Sequence, residues 1–227
     1  MISRYGRERL LRCWHRRRPR RPLNAMFLLT KPTESQIRGF LESAQELPLS
    51  YVEVGATRGM APSGYTVDHN RIELGHGGDV FEHAGAALKS WKHFDLGWVK
   101  LVPEDAPVTP GSVVAVLVAH MSLWSLNACR VIYLIDDQDG PVRRFGFAYG
   151  TLTEHAERGE ERFMIEWNTT DDSVWYDILA FSRPRHWLAK IGYPLTRWWQ
   201  KRFARDSLRA MVNYTRHSDK KRLTVSP

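Results

Sequence analysis

Arg144 is followed by Phe145-Gly146-Phe147-Ala148-Tyr149-Gly150-Thr151-Leu152, a strict alternation of bulky and small side chains. A period of two is that of a β-strand, so Phe145, Phe147, Tyr149 and Thr151 share one face and Gly146, Ala148 and Gly150 the other. Glycine weakens a strand interior unless a bend, another backbone or a ligand needs the room. The alternation predicts a curved sheet with one bulky and one emptied face. The emptied face is expected to receive a helix or to enclose a cavity. A charged turn through His155, Glu157, Gly159 and Glu160 follows, and then a second strand from Arg162 to Trp167.

Further strand-like runs lie on both sides of this hairpin: Leu49 to Val54, Tyr65 to Leu74, Trp98 to Val102, Val113 to Met121, Trp124 to Ile135, Val142 to Leu152 and Val174 to Phe181. Asp137-Gln138-Asp139-Gly140 is a hairpin turn, and connections this short join antiparallel strands. Thr33 with Gln36 forms a capping box ahead of Ile37, Phe40, Leu41 and Ala44, with Pro48 ending that helix. Asp79 with Glu82 is a second capping signature, leading into Phe81, Ala84, Leu88 and Trp91. Ser182 and Pro184 open a last helix that Gly192 and Pro194 interrupt and that runs to about Asn213. On it Leu195, Trp199, Phe203, Ala210 and Tyr214 share a narrow arc, with Arg197, Lys201, Arg202, Arg205 and Arg209 opposite. The class is α+β: about seven antiparallel strands and a long C-terminal helix laid on the emptied sheet face.

A chain of 227 residues with 43% hydrophobic content suits one domain with a sizeable core. Its net charge of +8 points to nucleic acid until it is located. The first 22 residues hold nine arginines against one acid, Glu8, so the rest of the chain is electrically balanced. A like-charged block does not fold alone. The expected organisation is a basic disordered arm over 1–25, a folded domain over 26–215 and a disordered tail over 216–227. Met26 is a candidate start. The alternative for the arm is contact with nucleic acid or an acidic membrane surface. Cys13 and Cys129 are the only cysteines, too few for a disulfide framework or a four-cysteine zinc site, which fits a reducing, cytoplasmic compartment. No run approaches the ~20 apolar residues of a transmembrane helix.

Several stretches resemble an uncharacterised bacterial and plant family catalogued as domain of unknown function nineteen-ninety. They are Leu49-Ser50-Tyr51 with Val54-Gly55-Ala56-Thr57, Asn127-Ala128-Cys129-Arg130, and Phe145 to Leu152 with His155-Ala156-Glu157 and Gly159-Glu160-Glu161-Arg162-Phe163. Phe181-Ser182-Arg183-Pro184 and Gln200-Lys201-Arg202-Phe203 with Asp206-Ser207 complete the set. The likeness spans roughly 27–213 and leaves the basic arm outside. It implies the helix-grip fold of the START and birch-pollen-allergen-like proteins, in which an antiparallel sheet wraps a long C-terminal helix around an apolar cavity. It implies no activity and no catalytic residue.

Charges inside strand patterns need partners. Arg130 alternates with Leu126, Ile132 and Leu134, while Asn127 and Tyr133 take the other face. Asp177 sits among Trp175, Leu179 and Phe181, and Asp206 falls inside the apolar arc of the last helix. The functional reading makes Asn127, Arg130, Tyr149, Thr151, Asp177, Trp199, Phe203 and Asp206 the contacts of a small, largely apolar ligand. The structural reading makes Arg130 and Asp177 an internal ion pair. Glu154, His155, Glu157, Glu160 and Glu161 are candidate metal ligands or an acid/base pair, but their spacing matches no His-Glu-x-x-His site. A solvated turn paired with Arg158 and Arg162 explains them as well. Gly75-His76-Gly77-Gly78 lacks the Lys and Ser/Thr of a phosphate loop, so no cofactor and no metal is expected. An enzyme working in the same cavity is the first alternative, and a basic interaction module built on the arm and the arginine face of the last helix is the second.

Overall fold

A computed structural model of the chain describes residues 27–120, 123–153, 155–184 and 193–223. The arginine-rich arm, Glu154, the interrupted helix start over 185–192 and the last residues of the tail lie outside them.

Seven strands form one antiparallel sheet: β2 (Thr66–His76), β3 (Val99–Val102), β4 (Val113–His120), β5 (Leu123–Asp137), β6 (Val142–Thr151), β7 (Glu157–Asn168) and β8 (Ser173–Pro184). Their order across the sheet is β2-β8-β7-β6-β5-β4-β3, and the short β1 (Phe27–Leu28) pairs with β5. Every neighbour pair from β3 to β8 is a sequential hairpin, the arrangement that the Asp137–Gly140 turn announces. Among the described residues, three helices accompany the sheet: α1 (Glu34–Ala44), α2 (Gly78–Lys89) and α3 (Tyr193–Leu223). The long terminal helix against a curved antiparallel sheet is the helix-grip arrangement.

The two sheet faces carry different layers. One bears Phe145, Phe147, Tyr149, Phe163, Ile165, Tyr176 and Ile178, packed under α2 and α3. The other bears Val113, Ala115, Leu117, Leu126 and Ala128, covered by Ile37, Phe40 and Ala44 of α1. The Thr33–Gln36 capping box starts α1, and both of its hydrogen bonds are formed.

The bulky face of β6 is therefore the one under the helices, the reverse of the expected arrangement. Gly150 lies on the opposite face, where an added Cβ would run into the Tyr51 hydroxyl; at Gly146 it would meet the backbone of Phe163 and Met164. Gly150 thus admits Tyr51, and Gly146 admits the close approach of β7. Leu49 to Val54 is not a strand. A single bridge joins Leu49 to Leu152, and a short 3-10 turn over Ala56–Arg58 follows.

Five other elements differ from the reading of the sequence. The expected charged turn is largely β7, because Glu157 to Glu161 pair in register with Pro184 to Ala180 of β8. Ser182 and Pro184 belong to the end of β8, and the helix expected to open after them falls on 185–192, outside the described residues. In β5 a bulge between Val131 and Tyr133 reverses the alternation, leaving Tyr133 on the face opposite Asn127. α2 begins from Gly77 with no side-chain cap, and Asp79 lies in its first turn. Along α3 the most buried positions are Ala204, Ser207, Met211 and Thr215, while Leu195 and Tyr214 of the expected arc are exposed. The helix continues past Asn213 to Leu223.

Candidate functional site

The sheet face under α3 is not filled completely. A cavity of about 900 Å3 lies between them. Val99, Val116, Val118, Ile178, Phe94 and Cys129 line it from the sheet side, and Trp199, Phe203 and Ala204 from the helix. Trp199 packs obliquely on Trp98 at 5.1 Å between ring centroids, and Phe203 on Phe94 at 5.0 Å. These ring pairs brace the helix over the sheet without closing the space beneath it.

Polar groups are distributed unevenly around this wall. On the β4–β5 side they are neutral: His120 Nε2 lies 2.8 Å from Ser125 Oγ, and Asn127 Nδ2 donates to the same oxygen at 3.2 Å. On the β6–β7–β8–β2 side they are acidic. Pairing register places Tyr149, Glu161, Ala180 and Asp68 in one row across four strands. Tyr149 Oη donates to Glu161 Oε2 at 2.8 Å. Ala180 leaves the space between Glu161 and Asp68 open. Two residues along β7, at Gly159, the backbone of Phe181 and Ser182 closes in where a side chain would stand, and beyond it stands Glu157.

Glu161 is enclosed by protein, and burial pushes its carboxyl up to about 7 against the pull of the Tyr149 hydrogen bond. Burial raises Glu157 as well, against a hydrogen bond from Gln200 and the Arg197 charge. Gln200 Nε2 of α3 donates to Glu157 Oε2 at 2.6 Å and to Ser182 Oγ at 3.0 Å. Arg197 binds Asp68 through both terminal nitrogens, which ties the first turns of α3 to β2.

Of the residues singled out in the sequence, Asn127, Tyr149, Thr151, Trp199 and Phe203 line the cavity. Arg130, Asp177 and Asp206 do not. Arg130 Nη2 donates to the Gln45 carbonyl at 2.7 Å, on the α1 side of the sheet. The expected Arg130–Asp177 pair is absent, because register puts Asp177 across from Arg71 and Met164, beyond the reach of β5. Asp177 is instead held by Arg162 Nη2 at 2.8 Å and His69 Nε2 at 2.5 Å. Asp206 accepts from the Trp98 indole at 3.1 Å and faces Arg202 and Arg205.

The side of the sheet opposite the cavity has its own polar cluster, which is closed. Glu160 accepts from Tyr51 Oη at 2.7 Å, Gly55 N at 2.7 Å, Thr57 N at 3.0 Å and Thr57 Oγ1 at 2.5 Å. Arg162 Nη1 donates to the Thr57 carbonyl at 2.9 Å, and the Thr57 and Tyr133 hydroxyls are 2.7 Å apart. A carboxylate with four donors has no capacity left for a ligand. The motifs Leu49–Thr57 and Gly159–Phe163 thus meet to clamp a loop to the sheet. The solvated-turn reading of Glu160 and Glu161 fails: both lie inside the protein, on opposite faces of β7.

Asp68, Arg197 and Gln200 escaped sequence reasoning as site residues, and for Glu157 and Glu161 it set metal ligands or an acid/base pair against a solvated turn. One signal was available: continuing the alternation back from Phe163 gives Glu161, Gly159 and Glu157 on the Phe163 face. Charges at both parities of that stretch hid the period.

Comparison with known proteins places the chain. Residues 50–210 match the family model described as Domain of unknown function (DUF1990). A UPF0548 protein of Dictyostelium discoideum is 38% identical over 204 residues, covering 82% of this chain and 94% of that one. A UPF0548 protein of Deinococcus radiodurans is 36% identical over 200 residues, with 82% and 98% covered. Among solved structures, human STARD10 is similar at a TM-score of 0.42 and 11% identity, covering 84% of each chain. The extent of the first two matches and of the family model leaves one conclusion: the chain belongs to the DUF1990 (UPF0548) family.

Proposed function

We propose that this protein binds one small, largely apolar molecule in the cavity between the sheet and α3. The observation that supports this reading is the unfilled volume itself. A domain with a buried core on both sheet faces leaves about 900 Å3 lined by valines, Ile178 and aromatic rings, the size of an ordinary ligand site. Asn127, Tyr149, Thr151, Trp199 and Phe203 are then ligand contacts, with the first turns of α3 as the cover. An enzyme acting in the same space is the second reading, favoured by the Tyr149–Glu161 pair, whose carboxyl is poised near neutral pH for general acid/base work. The nine arginines of residues 1–22 give the protein a basic segment able to hold it near nucleic acid or an acidic surface. The buried free thiol of Cys129 suits a reducing, cytoplasmic setting. No helix among the described residues is long and apolar enough to cross a membrane.

Native mass spectrometry of the full chain purified from cells tests the reading. The expected result is a co-purified small molecule at one per chain, lost in Ala180→Phe, which fills the gap between Glu161 and Asp68. A protein that stays empty, and stays so after exposure to a cell lipid extract, contradicts it.

A further inference from the structure

The cavity is chemically lopsided, and the lopsidedness identifies the ligand's polar end. Asp68, Glu157 and Glu161 stand on its β2–β7 side. The Arg197 guanidinium nearby is engaged by Asp68 through two hydrogen bonds. Neither Glu157 nor Glu161 has a salt bridge among the described residues. Glu157 Oε1 is buried without a hydrogen-bond partner among those residues, an acceptor awaiting a donor. The other polar groups around the space include the Tyr149 and Thr151 hydroxyls, Asn70, Ser125, Asn127, Ser182, Thr196, Gln200, and His69, His120 and His155, with Lys201 on the exposed side of α3, while the carboxylate of Glu160 is taken up by Tyr51, Gly55 and Thr57. His69 is turned to Asp177 on the other face, and burial lowers the basicity of His120. The wall opposite the acids is built from Phe94, Trp98, Trp199 and Phe203, faces that attract a cation.

From this arrangement we infer that the ligand is an amphiphile carrying a protonated amine, with its nitrogen against Glu161 and Glu157 and its apolar body under α3. This inference rests on the cavity reading above and adds the head-group chemistry. An ammonium supplies the donors that Glu157 Oε1 lacks, and a carboxylate head group would meet two like charges instead. Binding carries a proton signature. An empty Glu161 is protonated in part at neutral pH, and an ammonium beside it favours the ionised form, so docking expels a proton. The amine keeps its own charge, since alkylammonium groups titrate near 10.

Three probes of equal chain length separate the possibilities: n-octylamine, n-octanol and octanoate, titrated into the full-length protein and followed by calorimetry and tryptophan fluorescence at pH 6.5. Octylamine is expected to bind at least about tenfold tighter than octanol, since charge-assisted hydrogen bonds contribute more than the ~1.4 kcal/mol that a factor of ten represents. Octanoate is expected to be the weakest. Calorimetry in two buffers of different ionisation heat should show proton release with octylamine and none with octanol. In Glu161→Gln combined with Glu157→Gln the amine-to-alcohol ratio should collapse to within about threefold. A ratio measured within one variant is insensitive to a general loss of fold. Octanol or octanoate binding as tightly as octylamine overturns the amine assignment and leaves the cavity reading standing. If none of the three saturates, both are wrong.

Discussion

Tyr149 and Glu161 face one another across β6 and β7, and the phenol donates to the carboxylate at 2.8 Å on the cavity side of the sheet. The pair places a hydrogen-bonded titratable group beside the open space of the cavity. Its energetics are accessible to pH titration. The folded-state pKa of Glu161 is raised from 4.5 to about 7, so its contribution favours folding below pH 4.5 and is lost as pH rises through 7. Glu161→Gln should therefore stabilise the protein at pH 8 by up to about 3 kcal/mol relative to its effect at pH 4. Denaturant melts at the two pH values measure the difference. Equal effects at both would mean that Glu161 titrates normally.

His93 makes the opposite prediction. It is fully buried among Trp91, Phe94, Phe147, Phe163 and Tyr176, with both ring nitrogens unpaired among the described residues. Burial lowers its pKa from 6.5 to about 3. The unfolded chain then binds the extra proton between those values, so stability falls as pH drops from 6.5 towards 3, by at most about 5 kcal/mol. His93→Phe should flatten this acid limb while leaving stability at pH 8 nearly unchanged. Parallel acid limbs in the two proteins would remove His93 as the source.

Arg162 and Asp177 test the closed cluster on the far face. The Asp177 side chain is 3% exposed and that of Arg162 14%. Arg162→Met strands a buried carboxylate, with His69 as its remaining partner, and should cost roughly 3–5 kcal/mol. Adding Asp177→Leu should recover much of that loss without changing ligand affinity, because neither side chain reaches the cavity. Additive losses in the double-mutant cycle would show that the two do not interact.

The alternation at 145–152 made the sheet legible, and the capping box at Thr33 made α1 legible, because each is a local signal read over a few residues. The bulky and emptied faces of β6 were identified correctly, and their partners were interchanged. Nothing local says whether a small face admits a helix or, as here, the Tyr51 side chain coming from about a hundred residues away. The site was legible where aromatic and apolar residues mark a cavity wall, at Tyr149, Trp199 and Phe203. At Glu157 and Glu161 the sequence left two readings, a site and a solvated turn, because strand and turn share one composition there and only pairing with β8 decides. The β5 bulge shifted a face assignment by one residue, which is enough to send Tyr133 to the side opposite Asn127.

The central claim is that open volume lies on the α3 side of the sheet and packed volume on the other. The most direct measurement is a titration of an environment-sensitive apolar dye into three proteins: wild type, Ala180→Phe and Ala148→Leu. Ala180 lines the cavity, whereas Ala148 is fully buried on the Tyr133 side. The account predicts saturable binding at one dye per chain in wild type and its loss in Ala180→Phe with the fold retained. Ala148→Leu should keep the binding site but overpack the other face at a cost of roughly 1–3 kcal/mol. Dye uptake blocked by Ala148→Leu and untouched by Ala180→Phe, or no saturable uptake in wild type, would contradict it.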